Sequence, residues 1–209
     1  MKRPVIFFDW DGTLADSMPL CIGEISLALK RMGLPVPPES KLMECNGPTY
    51  EESVAVLGLP QERGEEFLRL RKAAEMELVP TVQRLFPGVK DMLRELIAFA
   101  DLAIVSNGLM EYLTLSTRVM DVEDCFVRVQ GHIPGKHKGE ALALLMAELA
   151  PERAVMVGDR LGDLNAGKFC GIPTVAACYG FGNEAEYCQA DHRADSVAAL
   201  TELLKKLLA

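Results

Sequence analysis

Short unbroken apolar runs alternate along this chain with longer stretches in which apolar residues recur every three or four positions. Val5–Phe8 is the first run, and residues 102–105, 154–157 and 172–177 are others; residues 125–130 form a weaker one. Runs of this length fit strands buried on both faces. Between them, Val89, Met92, Leu93, Leu96 and Ile97 mark one helix face, and helices are predicted over 109–120 and 139–149 and from near Asp163. The last helix has Ser196 as its N-cap and Val197, Leu200, Leu203, Leu204 and Leu207 on its inner face. Strands alternating with helices in this way predict an α/β fold, a Rossmann-like doubly wound parallel sheet covered on both sides.

One segment breaks the alternation. Met18, Cys21, Ile22, Ile25, Leu29 and Met32 keep helical spacing up to Gly33, and a stiff Leu34-Pro35-Val36-Pro37-Pro38 follows. A second helix pair is predicted from about 39 to 79, broken at Asn46-Gly47-Pro48 and Gly58-Leu59-Pro60. No β-alternation occurs between Ser17 and Pro80. The segment reads as an inserted α-helical cap domain, residues 16–82, in a core made of 1–15 and 83–209. Its junctions, near 14–18 and 80–86, are expected to hinge.

Polar residues gather where the apolar runs end. Asp9 and Asp11 follow the first strand, two residues apart and so on one face of an extended backbone, and Gly12 permits a sharp turn. Ser106-Asn107-Gly108 follows the second strand, and Gly158-Asp159 the fourth, with Asp163 four residues on. Right-handed crossovers bring all these strand ends to one edge, where open α/β sheets place their ligands. Crowded carboxylates there repel one another, and a divalent cation relieves that. A hydroxyl with free N–H groups at a strand-to-helix turn can grip a phosphate oxygen.

Composition narrows the classes. Of 209 residues, 49% are hydrophobic and 25% charged, as in a globular protein. The net charge of −8 argues against nonspecific nucleic-acid binding, which needs a basic footprint. The six cysteines form no C-x-x-C pair and no zinc pattern, which suggests reduced thiols in a cytoplasmic protein. The apolar run after Met1-Lys2-Arg3-Pro4 is too short for a signal peptide, and no run reaches membrane-spanning length. His132, His137 and His192 lack metal spacing and read as loop residues, and Trp10 reads as core.

Residues 9–17, Asp-Trp-Asp-Gly-Thr-Leu-Ala-Asp-Ser, resemble the first motif of the haloacid dehalogenase superfamily of phosphohydrolases. Val105-Ser106-Asn107-Gly108, the lysines of Gly135-Lys136-His137-Lys138-Gly139, and Gly158-Asp159-Arg160-Leu161-Gly162-Asp163 resemble its remaining motifs, in order. The helical insert is similar to that of phosphoglycolate phosphatase-type members. The resemblance implies Asp9 as the nucleophile that becomes an aspartyl-phosphate, and Asp11 as acid and base. It implies Thr13, Ser106 and Asn107 as phosphate-binding groups. Mg²⁺ would be held by Asp9, Asp159 and Asp11, the last through its main-chain carbonyl, with Asp163 acting through water or by orienting the lysine.

Lys138 fits the family's helix-start lysine and is favoured as the catalytic and phosphate-binding lysine, although counting from the Lys-Pro-x-Pro form of some relatives points to Lys136. Residues 45–49 resemble the turn that relatives hold over the site. The implied substrate is a small phosphorylated metabolite, with no nucleic acid or membrane partner; the oligomeric state stays open. A 5'-nucleotidase, a pyrophosphatase and a sugar-phosphate mutase share these motifs. A dehalogenase or phosphonatase would lack Asp11. A noncatalytic phosphometabolite-binding protein on this scaffold should have lost a carboxylate that is present here.

Overall fold

The computed structural model describes residues 3–208; Met1, Lys2 and Ala209, which fall within the expected core boundaries, lie outside the described residues. Six strands form one all-parallel sheet: β1 (Val5–Phe8), β2 (Asp101–Val105), β3 (Phe126–Gln130), β4 (Ala154–Gly158), β5 (Thr174–Ala177) and β6 (His192–Ala194). Their spatial order is β3-β2-β1-β4-β5-β6, so the chain reverses direction across the sheet between β1 and β4. That switch point leaves a crevice beyond the strand ends.

Alternation along β1 shows why the strand is apolar throughout. Ile6 and Phe8 join a cluster with Ile104, Val155 and Val157 on one face, covered by α5 (Val89–Leu96), α6 (Met110–Val119) and α10 (Val197–Leu208). Val5 and Phe7 join Ala103, Val105 and Met156 on the other face, under α7 (Lys138–Leu149) and α8 (Leu161–Phe169). Phe7 and Phe8 are fully buried, and each such side chain contributes about 1.5–3 kcal/mol. Ser196 caps α10, its Oγ accepting from Ala199 N.

Helices α1 (Met18–Arg31), α2 (Glu39–Met43), α3 (Tyr50–Val56) and α4 (Gln61–Val82) form the cap, with a core of its own around Ile25, Leu29, Leu42 and Phe67. The helix expected to stop near Val79 continues past Pro80 to Val82. The two connections between cap and sheet run side by side: Asp16 N donates to Arg84 O and Phe86 N to Leu14 O, at 3.0 Å each.

Two elements depart from the sequence reading. His192 lies in β6, an edge strand, rather than in a loop, and α9 (Glu184–Tyr187) precedes it. Only Ala194 of β6 is buried, so the strand carries no apolar run, as suits a charged sheet edge. His137 is the N-cap of α7, accepting from Glu140 N, with its ring edge-on to Phe169.

Candidate active site

The tip of β1 sets the site. Asp9 N donates to Val157 O at 2.9 Å, so sheet pairing extends to the carboxylate and holds it at the switch point. Trp10 turns inward, fully buried, and its Nε1 donates to Ser116 Oγ. The chain then folds back tightly, Leu14 N and Ala15 N both donating to Trp10 O. Gly12 makes this possible: its φ is +79°, and a Cβ there would lie 2.3 Å from Asp159 Oδ2.

Asp11 lines the same cavity as Asp9, and Tyr112 Oη donates to its Oδ1 at 2.6 Å. Burial pushes the Asp11 carboxyl up, with the Tyr112 hydrogen bond pulling the other way. Tyr112 is 2% exposed and reads from its spacing as part of the apolar stripe of α6, so periodicity does not reveal it. Loss of that bond frees the Asp11 carboxyl to rotate. Tyr112→Phe is expected to lower kcat about tenfold with KM little changed, a split that steady-state kinetics checks.

Lys138 reaches Asp9 from the start of α7. Its Nζ lies 2.9 Å from Asp9 Oδ1 and donates to Asp163 Oδ1 at 2.5 Å, with all three side chains buried. Those two carboxylates hold the ammonium protonated against the cost of its burial. Lys136 instead faces Glu140 at 3.9 Å, its side chain 42% exposed. Of the two lysines, Lys138 is the one that lies against Asp9 and Asp163.

Asp159 and Asp163 follow β4. Asp159 accepts from Thr13 Oγ1 at 3.2 Å and from Phe181 N at 2.8 Å. Thr13, expected among the phosphate-binding groups, therefore aims its hydroxyl at Asp159 and is fully buried. Asp163 accepts from Lys138 on one oxygen and from Arg160 N on the other, so both its oxygens are engaged. Ser106 Oγ accepts from Gly108 N at 3.1 Å, which leaves its own O–H to donate into the cavity it lines.

Asn107 points to the cap. Its Nδ2 donates to Gly47 O at 3.1 Å, while Arg160 Nη1 donates to Asn46 O at 3.0 Å. The loop at Asn46-Gly47-Pro48 is thereby tied over the strand ends. Gly47 has φ +101°, and a Cβ there would come within 3.2 Å of Arg160 Nη1. Two hollows, of about 50 and 170 Å³, meet at Asp9 and Lys138 beneath this loop.

The donor set fits a hard divalent cation. Oxygens of Asp9, Asp159 and Asp163 lie within 4.8 Å of one another, opposed by one lysine. Burial, then Asp163, push Asp9 well above the ordinary carboxylate range, and the same two influences push Asp159 up to about 7. Asp9 Oδ1 receives no well-directed hydrogen bond among the described residues, although it faces Lys138. An oxygen-rich cluster with excess negative charge and an under-used lone pair suits Mg²⁺. Asp9, Asp159 and Asp163 are the carboxylates close enough together to share one ion.

A parallel sheet with acids at its switch point, roofed by an inserted helical cap, places the molecule among the capped α/β hydrolases. A family model described as haloacid dehalogenase-like hydrolase matches residues 6–177, and the chain belongs to that family. It is 30% identical over 184 residues to tyrosine-protein kinase PtkA of Mycobacterium tuberculosis, covering 85% of this chain but 63% of that protein. It thus spans less than two thirds of the length of that relative. It is 28% identical over 198 residues to a phosphoglycolate phosphatase of Caulobacter vibrioides, covering 88% of this chain and 83% of that one. The solved structure of haloacid dehalogenase-like family protein SP0104 from Streptococcus pneumoniae superposes with a TM-score of 0.86 at 27% identity, covering 96% of this chain and 97% of that one.

Proposed function

We propose that the chain is a Mg²⁺-dependent phosphomonoesterase, phosphoglycolate phosphatase-like in its motifs, that works through an aspartyl-phosphate on Asp9. The observation carrying this reading is that Asp9 lies against the buried ammonium of Lys138 while Asp11, two residues on, lines the same cavity in a different environment. Two carboxyl groups held apart in this way can divide the work of nucleophile and proton carrier.

In the first step an Asp9 oxygen attacks phosphorus and the ester P–O bond breaks. Asp11, its proton affinity raised by burial, gives its proton to the departing alkoxide. In the second step water attacks the phosphorus of the acyl phosphate and passes a proton to Asp11, which frees the Asp9 carboxylate and inorganic phosphate. Lys138 and the Ser106 hydroxyl face the phosphoryl oxygens throughout. Asp9 and Asp159, with the Asp11 main-chain carbonyl by family resemblance, would hold Mg²⁺, which would supply positive charge against the phosphoryl group.

The core, residues 1–15 and 83–209, carries these groups; the cap, residues 16–82, excludes water and contacts the leaving group. The substrate is a small phosphorylated metabolite, turned over in the cytoplasm. No helix among the described residues is long and apolar enough to cross a membrane.

A phosphometabolite panel assayed with and without EDTA tests this reading. Phosphate release that EDTA abolishes and added Mg²⁺ restores is expected. Turnover indifferent to EDTA, or phosphoryl transfer from ATP to a tyrosine peptide without ester hydrolysis, would overturn it.

A further inference from the structure

The cavity above Asp9 has a second wall that the phosphoryl chemistry does not use. Glu24 from α1, Tyr50 from the start of α3, and Arg71 and Glu75 from α4 line its cap side. They are 2%, 8%, 4% and 4% exposed. Arg71 Nε and Nη2 both lie 2.7 Å from Glu24 Oε1, and the guanidinium sits 4.2 Å above the centre of the Tyr50 ring. Arg71 Nη1, Glu75 Oε2 and the Tyr50 hydroxyl receive or make no well-directed hydrogen bond among the described residues, although Tyr50 and Glu75 lie near enough to influence each other. A buried polar group left unpaired costs about 1–3 kcal/mol, so three on one wall mark a surface made to meet a hydrogen-bonding ligand.

The charge of this wall decides what that ligand is. A carboxylate needs an uncompensated cation, but the Arg71 charge is already matched by Glu24, and a second carboxyl, Glu75, stands beside it. A glycolate-like leaving group would bring a third carboxyl to one guanidinium. An ammonium group only donates, so it would leave Arg71 Nη1 and the Tyr50 O–H without an acceptor. Hydroxyl groups fit best, because each can accept from Arg71 Nη1 or the Tyr50 O–H and donate to Glu75 Oε2. Burial and the charge of Glu24 push Glu75 well above the usual range, which removes net charge from the wall and favours a neutral ligand further.

Building on the phosphomonoesterase reading, we infer that the wall of Glu24, Tyr50, Arg71 and Glu75 binds an uncharged, hydroxyl-bearing leaving group. The substrate is then a small polyol or sugar monophosphate rather than a phosphorylated carboxylic acid.

The test compares kcat/KM of the purified full chain, with Mg²⁺, for glycerol 1-phosphate, erythritol 4-phosphate, ribose 5-phosphate, 2-phosphoglycolate, phosphoethanolamine and p-nitrophenyl phosphate. At least one of the three polyol and sugar esters is expected to exceed 2-phosphoglycolate and phosphoethanolamine by about tenfold or more. Glu24→Gln, which uncovers the Arg71 charge, is expected to shift the ratio toward 2-phosphoglycolate by about tenfold. Tyr50→Phe keeps the ring over Arg71 and should lower the preferred ester's kcat/KM relative to p-nitrophenyl phosphate.

Preference for 2-phosphoglycolate or phosphoethanolamine, or a ratio unmoved in both variants, overturns the inference. If p-nitrophenyl phosphate is then still hydrolysed in an EDTA-sensitive way, the phosphomonoesterase reading stands alone. If no ester is hydrolysed, both fall.

Discussion

Asp9→Asn is expected to reduce phosphate release by at least about 10⁴-fold while leaving the fold intact, because the amide cannot form the acyl phosphate. The substitution is nearly isosteric and keeps the strand pairing through Asp9 N and Val157 O. Its electrostatic effect without metal favours the folded state. Burial and then Asp163 raise the proton affinity of Asp9, Lys138 lowers it by less, and Asp159 raises it further. Removing one of three clustered negative charges relieves repulsion, so thermal unfolding in EDTA should occur at the same or a higher temperature than in the wild type. Added Mg²⁺ should then stabilise the variant less than the wild type, since one ligand is weakened. Turnover within tenfold of wild type would remove Asp9 from its role.

Lys138→Ala is expected to have two separable consequences. It leaves Asp9 and Asp163 buried without their cation, and breaking a buried pair in this way costs about 3–5 kcal/mol. It also removes the ammonium that lies against Asp9, the proposed nucleophile, with an expected loss of about 10²–10³-fold in kcat. Denaturant unfolding reads the first and steady-state kinetics the second. Excess Mg²⁺ should recover part of the stability by compensating the carboxylates, but not the turnover. The neighbouring Lys136→Ala is the control: an exposed pair of this kind is worth about 0–1 kcal/mol, and activity should stay within about twofold. Equal losses in the two lysine variants would contradict the geometry.

These two residues also illustrate what a reader of the bare sequence can reach. Asp9, Ser106 and Asp159 are legible because each directly follows an apolar run, so topology alone carries them to one sheet edge. Choosing Lys138 over Lys136 requires knowing where α7 begins. His137 caps the helix, which puts Lys138 in its first turn facing β1 and leaves Lys136 outside. Tyr112 is hidden by an apolar stripe that it also serves, and β6 by being too short and too charged to alternate.

The cap wall is the least legible part, since its four residues are spread from position 24 to 75 and meet only when α1, α3 and α4 pack. A signal exists in retrospect. Arg71 and Glu75 occupy the same helical stripe as Phe67, Ala74 and Val79, and Glu24 shares a face with Leu20, Cys21 and Ala28. Ionic residues in an otherwise core-facing row need a partner or a ligand.

The loop over the strand ends is anchored through main-chain oxygens, those of Asn46 and Gly47, grasped by Arg160 and Asn107 from below. Every amino acid brings the same carbonyl. Drift in the side chains at those two positions therefore leaves the fastening itself untouched, provided the backbone keeps its bend at 47. The roof can be re-upholstered for a new guest while its clasp stays as it was.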